Sequence, residues 1–82
     1  MRKKAAASTL RTSAIPNLLT VDFDREEDGR WIADIPDLPG VMVYGESKED
    51  ALAKVQALAL RVLADRIEKE GLPQNEVRFA VA

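Results

Sequence analysis

The chain has 82 residues, a net charge of −2, and neither cysteine nor histidine. That excludes disulfides and thiolate or imidazole metal sites, and it removes the usual general base at neutral pH. One small, marginally stable domain is what this length accommodates; with no apolar stretch near the ~18 residues of a membrane span and no secretory pattern, the chain reads as cytoplasmic.

Charge is unevenly spread. Residues 1–14 hold Arg2, Lys3, Lys4 and Arg11 and no acid, so with +4 there the remainder carries −6. The first segment, rich in Ala, Ser and Thr without apolar periodicity, reads as a flexible basic N-terminal arm closed by Pro16-Asn17. Residues 15–82 form the folded domain. Its acidity argues against a nucleic-acid surface and suits a basic partner.

Leu19, Val21 and Phe23 alternate with Thr20, Asp22 and Asp24, the period of a half-buried strand. Asp28-Gly29 follows and signals a two-residue type I′ hairpin turn. The next strand, 30–35, puts Trp31, Ala33 and Ile35 on one face. Pro36-Asp37-Leu38-Pro39-Gly40 cannot be strand, because two prolines remove two amide donors. It reads as a stiff corner before a third strand over 41–44.

Ser47 is a suitable N-cap, with Asp50 three residues on and Glu49 adding negative charge to the first turn. The helix is expected from about Lys48 to Glu70, ended by a left-handed Gly71 and by Pro73. Its apolar residues spread over an arc of roughly 180°, wider than the ~100° needed to lie on one sheet, which points to a subunit interface. Val77, Phe79 and Val81 then alternate with Glu76 and Arg78 as a fourth strand. The fold class is α+β, a β-β-β-α-β domain. A right-handed crossover places strand four parallel beside strand one, giving sheet order 3-2-1-4 with the helix on one face. The expected core is Leu19, Val21, Phe23, Trp31, Ala33, Ile35, Val41, Val43, Leu52, Val55, Ala59, Leu63, Ile67, Val77, Phe79 and Val81.

The acids invite one enzymatic reading. This element order is the opening half of the ribonuclease H architecture, in which converging carboxylates hold two divalent metals. One acid would have to come from the helix face against the sheet, and that face is Leu, Val and Ala. No catalytic residue, metal site or cofactor is therefore expected. The Pro-rich corner has two compatible readings: a rigid turn with Asp37 accepting local amides, and a pre-shaped binding loop displaying Leu38 and one acid.

The Asp-Gly turn, Trp31, Pro36-Asp37-Leu38-Pro39-Gly40, Gly45-Glu46-Ser47 and Asp50-Ala51-Leu52 occur in an order that resembles the HicB-like antitoxin family over about residues 17–70. The resemblance implies a partial ribonuclease H-like domain without nuclease activity. It implies an antitoxin-like module of a type II toxin–antitoxin system that neutralises a small basic HicA-type toxin, an mRNA-cleaving ribonuclease. Candidate contacts are Asp34, Asp37, Leu38 and Glu46. A homo-oligomer is expected. Many members add a C-terminal DNA-binding domain; this chain ends right after strand four, so direct DNA binding is not expected of it. The alternatives are an orphan oligomeric regulator without a toxin and a divalent-metal ribonuclease.

Overall fold

The computed structural model describes residues 15–82; the expected basic arm, residues 1–14, lies outside the described residues. Strands β1 (Leu18–Arg25), β2 (Trp31–Asp34) and β3 (Met42–Gly45) precede helix α1 (Lys48–Glu70) and strand β4 (Arg78–Val81). The sheet order is β3-β2-β1-β4, with β1–β2 and β2–β3 antiparallel and β1–β4 parallel. Element order, sheet order and the single helix agree with the sequence reading.

The first hairpin differs from expectation. Gly29 N–H donates to Glu26 C=O at 2.9 Å, and Glu26 N–H donates to Arg30 C=O at 2.8 Å. Only Gly29 in this loop has positive φ, at 94°. A type I′ turn needs positive φ at both central residues; here the loop is a type I turn followed by a left-handed glycine, the three-residue hairpin. Asp28 stays in ordinary backbone space because its carboxylate is used locally. It accepts from Arg30 N–H at 3.0 Å and from Arg30 Nε at 2.8 Å. Those contacts hold the Asp28 carboxyl below its usual pKa, the backbone hydrogen bond first.

The corner between β2 and β3 is two turns in series. Leu38 N–H donates to Ile35 C=O, and Val41 N–H donates to Leu38 C=O. Each turn has a proline at its second position, and Gly40, at φ 84°, takes the third position of the second turn as a type II turn requires. Leu38 belongs to both turns and points inward.

The helix begins and ends as its sequence dictates. Asp50 N–H donates to Ser47 Oγ at 3.0 Å, and Asp50 Oδ2 in return accepts from Glu46 N–H at 3.0 Å. Gly71, left-handed at φ 68°, donates its N–H to Ile67 C=O. The stripe Ala51, Val55, Ala59 and Leu63 is buried against the sheet. At the N-terminal end the approach is so close that a Cβ on Gly45 would stand 2.7 Å from Ala51 Cα and 2.8 Å from Ala51 Cβ.

The buried core is Ile15, Leu19, Val21, Ala33, Ile35, Leu38, Val41, Ala51, Val55, Ala59 and Leu63. Expected core residues Phe23, Trp31, Val43, Leu52, Val77 and Phe79 are half-buried around it; Ile67, in the last helical turns, is half-buried too. Val81 is a correction: it is 47% exposed. It shares the helix-side face with Val21, its register partner. The helix packs chiefly on β2 and β3, so the end of edge strand β4 is left uncovered. Ile15, Leu38 and Ala51 are core residues that the expected set did not include.

Candidate functional site

The helix covers one face of the sheet, and no described element covers the other. Strand alternation decides what that open face carries. From β1 it receives Leu18, Thr20, Asp22 and Asp24; from β2, Ile32 and Asp34; from β3, Met42 and Tyr44; from β4, Arg78 and Ala80. Three large apolar side chains on it are exposed: Leu18 at 47%, Met42 at 53% and Tyr44 at 42%. The usual solvated face of an antiparallel sheet is polar. This one mixes carboxylates with apolar surface.

Register concentrates the negative charge. Asp22 lies directly opposite Asp34, and Asp34 lies opposite Met42; Asp24 is opposite Ile32, and Ile32 opposite Tyr44. Like charges directly opposed across strands are destabilising. Among the described residues none of Asp22, Asp24 and Asp34 has an ion pair, whereas both cations of this face are engaged. Arg30 Nε sits 2.8 Å from Asp28 while its guanidinium lies 4.4 Å over the Tyr44 ring, and Arg78 Nε sits 3.5 Å from Glu76.

The four candidate contacts from the sequence separate into three situations. Asp34 is half-buried on the open face. Asp37 is exposed, but its Oδ2 accepts from Thr20 N–H at 3.1 Å. The β1–β2 ladder would continue toward Pro36 at this point; the corner turns away, and the Asp37 carboxylate takes over as acceptor. Its partner is seventeen residues away, not the local amide expected. Leu38 is a correction: at 2% exposed it is core, so it anchors the corner and presents no surface. Glu46 is exposed just beyond β3, where Gly45 pairs with Trp31. It is four strand residues from Met42, about 13 Å from the corner end. Asp34 and Asp37 thus share one end of the hairpin and Glu46 the other. The sequence reading missed the facing of Asp22 on Asp34, which depends on register, and the exposed Met42 and Leu18.

A second cluster flanks the helix start on the covered side. The Phe23 and Trp31 rings meet edge to face with centroids 6.4 Å apart. Lys48 Nζ lies 4.8 Å over Phe23, and the Arg25 guanidinium 5.3 Å over Trp31. Here the long basic stems shelter aromatic surface that the helix does not reach. Among the described residues no group of three or more acids is close enough to hold a metal ion, and no helix is long and apolar enough to cross a membrane.

Comparison with known proteins gives one relative at the family level. The chain is 31% identical over 58 residues to the UPF0150 protein Ta0767 of Thermoplasma acidophilum, an alignment spanning 68% of this chain and 83% of that protein. No family model matches the chain. No solved structure matches it.

Proposed function

The chain belongs to the UPF0150 family, and from that footing we propose that it is a HicB-like, antitoxin-like binding module that neutralises a small basic mRNA-cleaving toxin of the HicA type by direct contact. The observation that carries this reading is the carboxylate row Asp22, Asp24 and Asp34, without an ion pair among the described residues, on an open, partly apolar sheet face. Acids of this kind steer a cationic partner, and rigid strands lose little entropy when it docks. Asp34, Asp37 and Glu46 remain contact candidates. Leu38 is buried and offers no contact surface. The module acts as a homo-oligomer, supported by the exposed Leu60 on the helix and by two open sheet edges.

The test is co-expression with a small basic HicA-type toxin encoded beside its gene. Wild type should restore growth, and Asp34→Lys with Glu46→Lys should not. Asp37 and Leu38 are avoided as test positions, since one holds Thr20 and the other fills the core. Full rescue by the double variant, with binding that does not weaken as salt rises, would remove the electrostatic docking on which this reading depends. The reading of a divalent-metal ribonuclease is tested by RNA and Mg²⁺ or Mn²⁺. Cleavage abolished by Asp22→Asn would put it first.

A further inference from the structure

We propose that the open sheet face is the docking site of the chain's own basic N-terminal segment, with residues 1–14 laid in cis over the Asp22–Asp34 pair and the adjoining Ile32, Met42 and Tyr44. This does not rest on the proposed function; it follows from charge, tether length and register.

The face needs a cation. Asp22 and Asp34 oppose one another in register without an ion pair among the described residues, and the face's own Arg30 and Arg78 are held by Asp28 and Glu76. The largest block of positive charge without an interspersed acid is Arg2, Lys3, Lys4 and Arg11. That block joins the fold at Ile15, three residues before β1 begins. From Leu18 to Asp22 the strand advances about 13 Å. The eleven residues between Lys3 and Ile15 let these two lie up to about 40 Å apart, so Arg2, Lys3 and Lys4 can return to the acid pair. A tether of this length supplies an effective concentration on the order of millimolar. The segment also carries Leu10 and a run of alanines, small apolar groups suited to the exposed Met42 and Tyr44.

A second copy fits this face less well. A two-fold contact presents the same patch twice, and apposing two such faces would set the acid rows against each other. A basic partner protein using the face would have to displace the segment, so the segment sets the threshold for any such binding.

The absence of cysteine makes a clean measurement possible. A nitroxide is attached to the full chain through Ala7→Cys, and amide signals of the ¹⁵N-labelled protein are compared with the label oxidised and reduced. At low ionic strength the amides of Asp22, Ile32 and Asp34 should lose at least half their intensity, while those of Ala57 and Arg61 on the helix's outer side should not. The loss should vanish at high salt and in Asp22→Asn with Asp34→Asn. Should that variant unfold, Lys3→Gln with Lys4→Gln and Arg11→Gln tests the same contact without touching any described residue. Labelled chain mixed with ¹⁵N chain that carries no nitroxide should show no loss. Uniform broadening, broadening centred on the helix, persistence in both charge-removed variants, or loss seen equally in the mixed sample would each overturn docking in cis.

Discussion

Gly45→Ala adds a single methyl group where sheet and helix leave no room for one. The new Cβ would lie 2.7 Å from Ala51 Cα and 2.8 Å from Ala51 Cβ, and it would also press on the Ala51 backbone nitrogen. Two of those three atoms are helix backbone, so no rotamer change relieves the clash. Ordinary contact needs roughly an ångström more, and α1 must lift off β3. Lifting the first turn strains the reciprocal bonds between Ser47, Asp50 and Glu46, and it pulls Ala51 N–H from Ser47 C=O, which it meets at 3.0 Å. Overpacking costs about 1–3 kcal/mol, and loss of the cap about 1 more. Against the roughly 4–12 kcal/mol expected of a domain this size, about 2–4 kcal/mol should be lost. Urea unfolding followed by Trp31 fluorescence reads it directly, because Trp31 pairs with Gly45 in the sheet. Adding Ala51→Gly should not rescue, since the backbone nitrogen and Cα remain in place and glycine weakens the helix. A loss below about 0.5 kcal/mol, or full rescue by Ala51→Gly, would mean that the sheet and helix are not held at this spacing.

Three further outcomes follow from named contacts. Asp37→Ala should free the Thr20 amide and speed its hydrogen exchange, at a cost of about 1 kcal/mol, while Asp37→Asn, which keeps an acceptor, should retain most protection; equal exchange in all three proteins would disconnect the corner from β1. The Asp50 carboxyl is held below the ordinary aspartate range by the Glu46 amide first and by Lys54 second, so its stabilisation is present above the unfolded value and fades as pH falls through the lower folded one. The urea midpoint of wild type should therefore drop toward that of Asp50→Asn in acid; parallel curves at every pH would contradict this. Sedimentation at micromolar concentration should give at least a dimer, and a species of only 9.1 kDa would refute the oligomer.

What the sequence made legible were the features set by short-range chemistry. Period-two alternation located the strands, and Ser47, Asp50 and Gly71 bounded the helix to within the observed residues. What it concealed were the features set by contacts across the chain. A leucine between two prolines carries no periodicity, so nothing local indicates that Leu38 turns inward; only the two consecutive turns do that. Gly45 has no positive φ to announce it, and its role is the space it leaves for Ala51. The carboxylate of Asp37 looked like a local turn acceptor because its true partner, Thr20, is on another strand. The Asp22–Asp34 pair is a product of register, and the turn signal, read as a two-residue type I′ loop, implied a different one.

That error was detectable from the strands themselves. A two-residue loop at Asp28-Gly29 pairs Glu27 with Arg30, which sets Phe23 opposite Asp34. One slipped residue puts the whole apolar set of one strand on the wrong face. Phe23 can face Ala33 only if Glu26 pairs with Arg30, as observed, and that requires three loop residues. The alternation of the two strands therefore outweighs the turn motif, and it makes an unobvious deletion tolerable. Removing Glu27 leaves Asp28-Gly29 as a two-residue loop between the same flanking pair, with the register unchanged and with residues that accept type I′ geometry. Stability should change by less than about 1 kcal/mol. Removing Gly29 instead leaves Glu27-Asp28 to supply two positive φ angles, at about 1–2 kcal/mol each. The two deletions shorten the loop equally, so chain entropy cancels between them, and the Gly29 deletion should unfold at a urea midpoint lower by the equivalent of about 2 kcal/mol or more. Equal midpoints, or the opposite ranking, would mean that this loop does not set the pairing of β1 with β2.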